Sequence, residues 1–161
     1  QAQGGRMKTI VVLSDSHYRG AVRKLEPLFQ ENDYIVHLGD GSGEMRSVLD
    51  EYPDKVRVCR GNCDAFFGED EFVLDLEGVS LFCCHGHRYG VKQGLSRLAE
   101  RAKELGCDAA LYGHTHIADI RDEDGVLCIN PGALGAYADA SYCYLVLHKG
   151  KMTPTIVPFH G

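Results

Sequence analysis

The sequence predicts an α/β fold in which a two-layered β core is flanked by helices. Three features predict it. Apolar runs early in the chain alternate with amphipathic segments in the order β-α-β-α-β. A hairpin signal then breaks that rhythm, and a second hairpin signal closes the chain.

KTIVVLSD (8–15) is almost continuously apolar, as in a strand buried on both faces. AVRKLEPLFQ (21–30) sets Val22, Leu25, Leu28 and Phe29 on one helical side. Pro27 would break the interior of that helix, so it starts late or kinks. YIVHLGD (34–40) is a second strand. EMRSVLDEY (44–52) is a short helix with Met45, Val48, Leu49 and Tyr52 inward, and KVRVCRGN (55–62) is a third strand. This order favours a parallel sheet with right-handed crossovers. FVLDLEGVSLFCCHG (72–86) reads as two strands joined around Glu77-Gly78. Cys83 and Cys84, adjacent in the second of these, point to opposite faces. In VKQGLSRLAERAKELG (91–106), Val91, Leu95, Leu98, Ala102 and Leu105 give an amphipathic helix that Gly106 ends. CDAALYGH and VLCINPG are strands. SYCYLVLHKGKMTPTIVPF (141–159) is a hairpin turning near Lys149-Gly150, whose Pro154 and Pro158 mark an edge strand.

A chain of 161 residues is expected to form one domain, here residues 7–161, with QAQGGR (1–6) as tag remnant or disordered lead-in. Seven cysteines, an odd number without a secretory signal, point to reduced thiols and a cytoplasmic setting. No apolar run reaches about 18 residues, so no membrane span is expected. The net charge of −6 and the lack of a Lys/Arg block argue against extended nucleic-acid binding. The closing edge strand offers a contact surface for a homo-oligomer, although a solvated edge is the plainer reading.

Five short motifs stand where strands run out: Asp15-x-His17, Gly39-Asp40, Gly61-Asn62-Cys63-Asp64, His85-Gly86-His87 and Gly113-His114-Thr115-His116. Ligands of open α/β sheets gather beyond the carboxyl ends of strands. Each motif alone has an ordinary explanation: Asp15 as a turn carboxylate, Asp40 as a helix N-cap, Asn62 as a turn residue, His85 as a hydrogen-bonded core histidine. His114 and His116, two apart in a strand-like stretch, would project to the same side. Together the motifs assemble two carboxylates, one amide and four histidines, a mixture suited to hard and borderline divalent cations. A zinc–thiolate site fits less well, because the sequence has no C-x-x-C pair.

The order D-x-H, GD, GN-x-D, HG, GHTH resembles the calcineurin-like metallophosphoesterase superfamily, in particular its small single-domain phosphodiesterase branch. The resemblance runs from Met7 to about residue 132 and includes NPG at 130–132. It implies a four-layer α-β-β-α sandwich with two mixed β-sheets and the site at the strand ends. It also implies two divalent metal ions: Mn²⁺ foremost, with Ni²⁺, Fe²⁺, Zn²⁺ and Mg²⁺ as alternatives. Asp15, His17 and His116 would hold one, Asn62, His85 and His114 the other, and Asp40 would bridge both. His87 falls outside that set and reads as a supporting or solvated histidine.

The implied activity is hydrolysis of a small phosphodiester by a hydroxide bridging two metals about 3.5–4 Å apart. Two carboxylates do not neutralise two divalent ions, so the centre stays positive and attracts an anionic phosphate. The catalytic candidates are Asn62, Cys63, Asp64 and His85. Asp64 would orient a ligand histidine or fix its loop through backbone N–H groups. Close approach or unusual φ is expected at Gly61, Gly113 and Gly132. Cys63 departs from the superfamily, which usually carries a histidine there, thought to protonate the leaving oxygen. Either a weak acid at this place favours good leaving groups, or Cys63 fills a small space beside the metals. Three other readings are a phosphomonoesterase with the same metals, a structural zinc module, and a non-catalytic scaffold like the retromer subunit of this fold. That subunit has lost several ligand residues, whereas this chain keeps all seven.

Overall fold

The computed structural model describes residues 7–160, so the lead-in at 1–6 lies outside the described residues. Ten strands form two five-stranded sheets. The first sheet runs β10 (Lys151–Pro158), β9 (Ser141–His148), β1 (Lys8–Leu13), β2 (Tyr34–His37), β3 (Val56–Val58). The second runs β4 (Glu71–Leu76), β5 (Val79–Cys84), β6 (Ala109–Leu111), β8 (Val126–Asn130), β7 (Asp119–Glu123). Both are mixed. β1, β2 and β3 are parallel, as are β5, β6 and β8, while hairpin partners run antiparallel at the margins.

Strand alternation builds the layers. In β1, Ile10 and Val12 face the space between the sheets, where they join Val36, Leu81, Cys83, Leu111 and Ile129. Val11 and Leu13 face the other way, against Val22, Phe29, Met45 and Val48 from the segments around α1 (Glu26–Glu31) and α2 (Arg46–Glu51). On the far side of the second sheet, Phe82, Cys84 and Cys128 pack on Leu95, Leu98 and Ala102 of and beside α3 (Ser96–Glu104). The layers are therefore α-β-β-α. Cys83 and Cys84 do take opposite faces, and all seven cysteines are free thiols.

The first helix starts late, as Pro27 requires: a 3-10 turn over Val22–Leu25 precedes α1, and Pro27 sits in its first turn. Two expectations need correction. The amphipathic helix begins at Ser96, not Val91, because Gly94 at φ +146° interrupts the chain just before it. Leu105 caps that helix and is 38% exposed, outside the buried stripe. Strand β7 was not expected. Its residues DIRDE are mostly exposed, since an edge strand needs no apolar alternation. No helix among the described residues is long and apolar enough to cross a membrane.

Candidate metal centre

The carboxyl ends of the parallel strands in both sheets converge. Asp15 follows β1, Asp40 follows β2, Asn62 follows β3, His85 follows β5 and His114 follows β6. Two groups of side chains can each close on a single ion. Asp15, His17, Asp40 and His116 form one, and Asp40, His85 and His114 form the other.

Each aspartate divides its two oxygens between loop and centre. Asp15 Oδ2 accepts from His114 N at 3.0 Å and Ser14 Oγ at 2.8 Å. Its Oδ1 lies 3.4 Å from His116 Nε2, 3.8 Å from His17 Nε2 and 3.9 Å from His85 Nε2. Asp40 Oδ1 accepts from Cys63 N at 2.8 Å, while Oδ2 lies 3.2 Å from His85 Nε2. His85 Nδ1 is turned to the Leu38 carbonyl at 2.8 Å, which fixes the ring so that Nε2 faces the centre. His17 and His116 aim their Nε2 atoms at each other, 3.2 Å apart.

The donor set fits divalent cations. Asp15 Oδ1 and His85 Nε2 are buried and make no hydrogen bond. A buried polar atom without a partner is costly, and a cation in each cluster removes that cost. Carboxylate and imidazole together suit manganese, iron, nickel and zinc.

The backbone is strained where these residues sit. Among the described residues, ten non-glycine residues have positive φ, and Asp15, His17, Asp40, His114 and His116 are among them. Three of the others, Glu77, Asp124 and Lys149, each precede a glycine in a hairpin turn. Left-handed backbone at histidine is uncommon and clusters at functional sites. The loop geometry corrects the expectation for the GHTH segment. His114 and His116 do not share a strand face. With Thr115 between them they turn outward, His116 into the first cluster and His114 into the second.

Two glycines permit the close packing of these loops. A Cβ on Gly61 would strike Asp40 Oδ1 and Asp40 N, and one on Gly113 would strike Ser14 Oγ. Gly132 has φ +85°, and a Cβ there would strike Ser141 Oγ as well. Asp64 binds the β2 and β3 loops together: it accepts from Asp40 N at 2.7 Å, Gly41 N at 2.8 Å, Ser42 N at 3.2 Å and Gly61 N at 2.7 Å. Of the two roles read for Asp64, this geometry favours bracing the loop. Asn62 is exposed and its amide reaches Cys63 Sγ at 3.6 Å. Cys63 is exposed too.

Charge at the centre is tuned by contact. Burial raises the Asp40 carboxyl, but the neighbouring His85 imidazole and Cys63 N–H outweigh it and hold Asp40 well below the usual carboxylate range. Asp64 is lowered likewise, with four backbone N–H groups overcoming burial. Burial lowers His85, yet Asp40 and Asp15 raise it overall. Burial and the neighbouring His85 lower His114, whereas the Asp15 carboxylate beside it raises His116. Burial and the Asp40 carboxylate push the Cys63 thiol up, which keeps it protonated.

Two supporting residues were not singled out from sequence. Buried Asn130 donates to the Gly113 carbonyl at 3.3 Å and to Thr115 Oγ1 at 2.9 Å, which pins the GHTH loop. The NPG match was its only signal. His37 is buried in β2, and its Nε2 pairs with Ser16 Oγ at 2.9 Å, which in turn donates to Glu44 Oε1 at 2.7 Å. His87 lies beside the second cluster, its ring centroid 5.4 Å from that of His85 and 6.1 Å from that of His114.

Residues 7–151 match the family described as "Calcineurin-like phosphoesterase superfamily domain". The chain belongs to this superfamily, a metal-dependent family of phosphoester hydrolases. It is 37% identical over 154 residues to "Probable metallophosphoesterase YsnB" of Bacillus subtilis, covering 89% of this chain and 87% of that protein. It is 29% identical over 107 residues to "Phosphodiesterase YfcE" of Escherichia coli K12, covering 60% and 53%. Among solved structures, a predicted phosphoesterase from Streptococcus pneumoniae superposes with a TM-score of 0.79 at 24% identity, covering 95% and 90% of the two chains. Vacuolar Protein Sorting 29 from Cryptosporidium parvum superposes at 0.77 with 17% identity, covering 96% and 99%, a likeness of fold alone.

Proposed function

We propose that the chain, as one domain over residues 7–161, is a phosphodiesterase that works with two divalent metal ions. Asp15, His17 and His116 hold one ion, Asn62, His85 and His114 the other, and Asp40 lies between them. The observation that supports this most is that Asp40 belongs to both ligand clusters. A carboxylate kept ionised by its contacts is suited to that shared position.

Ions held there would supply Lewis acidity and lower the pKa of water toward neutrality. The chain's own part is positional. Asp64 holds the Asp40 and Gly61 loops at one spacing. The Leu38 carbonyl sets the His85 ring, and His114 N fixes the Asp15 carboxylate. With two carboxylates among seven ligands, the loaded centre stays positive and draws in an anionic ester on an otherwise acidic protein. Cys63 offers a protonated thiol at the place where relatives usually carry an imidazole. A relative named phosphodiesterase supports the diester over the monoester.

The test is hydrolysis of bis(p-nitrophenyl) phosphate and of p-nitrophenyl phosphate, with and without Mn²⁺, by wild type and Asp40→Asn. Diester turnover should require metal and fall at least about a hundredfold in Asp40→Asn. Faster monoester turnover would favour the phosphomonoesterase. Metal binding without turnover of either ester would favour a scaffold.

A further inference from the structure

Past β6 the GHTH loop leaves a cleft of about 300 Å³ whose walls include Val91, Lys92, Leu95, Tyr112, Thr115 and Ile117. Thr115 stands between His114 and His116 in the chain, so the cleft is walled in part by the loop that carries one ligand-type histidine of each cluster. Its walls are built rather than incidental. Val91 and Leu95 are buried against the α3 core, which sets Lys92 between them on the exposed rim. Buried Asn130 holds Thr115 Oγ1 at 2.9 Å, and Ile117 N donates to the same oxygen at 3.2 Å. Ile117 is nevertheless 68% exposed, an anchored apolar side chain with nothing over it. The cleft's other cation, Arg121, is paired with Asp119 at 3.0 Å.

We propose that this cleft receives one ester arm of a phosphodiester, with Ile117 as the apolar wall against the arm and Lys92 as the cation at its mouth. The proposal rests on the phosphodiesterase reading and sharpens it. A phosphodiester differs from a monoester by a second arm and one fewer negative charge. A cleft with an exposed isoleucine on its wall, beside the loop that carries His114 and His116, rewards the arm, and a single lysine suits the lone charge. An aryl arm covers more of Ile117 than a methyl arm does, so the cleft selects for aromatic or similarly flat ester groups.

Two diesters with one leaving group test this: phenyl p-nitrophenyl phosphate and methyl p-nitrophenyl phosphate. The ratio of their kcat/KM values is read on Mn²⁺-loaded wild type, Ile117→Ser and Lys92→Gln. Ile117→Ser should lower the phenyl-to-methyl ratio about fivefold. Lys92→Gln should slow both esters by a similar factor and leave the ratio in place. A ratio unmoved by Ile117→Ser overturns the proposal. Calorimetric titration with diphenyl phosphate and dimethyl phosphate reads the same preference without turnover. Tighter diphenyl phosphate binding that Ile117→Ser abolishes supports the cleft even if no diester is cleaved, and then only the phosphodiesterase reading fails. Equal binding of the two by wild type overturns the cleft whatever the activity.

Discussion

Asp64 accepts backbone N–H bonds from Asp40, Gly41, Ser42 and Gly61. Its removal leaves several loop donors without partners at once. Asp64→Ala should therefore destabilise the fold by about 3 kcal/mol in urea and weaken Mn²⁺ binding at least about tenfold. Cys63→Ser, on an exposed side chain next door, should stay within about 0.5 kcal/mol. Equal costs would show that Asp64 is not the brace. His37 makes a pH prediction. Burial lowers its pKa from 6.5 to about 4, against Asp15 and Asp64, which raise it. The unfolded chain thus takes up this proton well before the folded one. The contribution is intact above about pH 6.5 and is lost as pH falls toward 4, about 2 kcal/mol of it between pH 7.5 and 5. Urea denaturation of metal-free protein should lose about that much less stability over this interval in His37→Gln than in wild type. Asp40, Asp64 and His85 titrate in both proteins, so the difference reports chiefly on His37. Matching slopes would contradict the assignment. At this scale the ligand-type residues were readable because each stands beside a glycine or another motif residue at a strand end. The partners of Asn130 and His37 were not readable, because both depend on contacts across the fold.

Among the elements, strands with strong apolar runs were legible and their pairing followed. The unexpected strand β7 shows what apolar patterning misses. Its turn carries Asp124-Gly125, with φ of +54° and +89°, which is a good hairpin signal. Its flanking residues face water and lack the alternation that would have drawn attention to it. In α3 the spacing of Val91, Leu95, Leu98, Ala102 and Leu105 matched a helix, but one glycine and one cap shortened it. The difference is measurable. Leu98 is fully buried in the α3 cluster, so Leu98→Ala should cost about 2–5 kcal/mol in urea denaturation. Leu105→Gln, at the exposed end, should cost under about 0.5 kcal/mol. Similar losses at the two positions would mean that Leu105 belongs to the core after all. His114 and His116 carry the same lesson. Period-two reasoning applies inside a strand, and these residues follow one.

For the molecule as a whole, three β-strands from each sheet bring their carboxyl ends to one place, and the strained loops there carry the ligand-type side chains. The fold class was legible because strand order and helix spacing are local signals. The convergence of two sheets on one centre is a long-range property, and the motif set conveyed it through family resemblance rather than through periodicity. The central claim is that the centre holds two ions sharing Asp40. Anomalous diffraction at the manganese edge, from crystals equilibrated with Mn²⁺, tests it most directly. Two peaks about 3.5–4 Å apart, both within bonding distance of the Asp40 carboxylate, are predicted. A single peak, or two peaks without Asp40 between them, would contradict it.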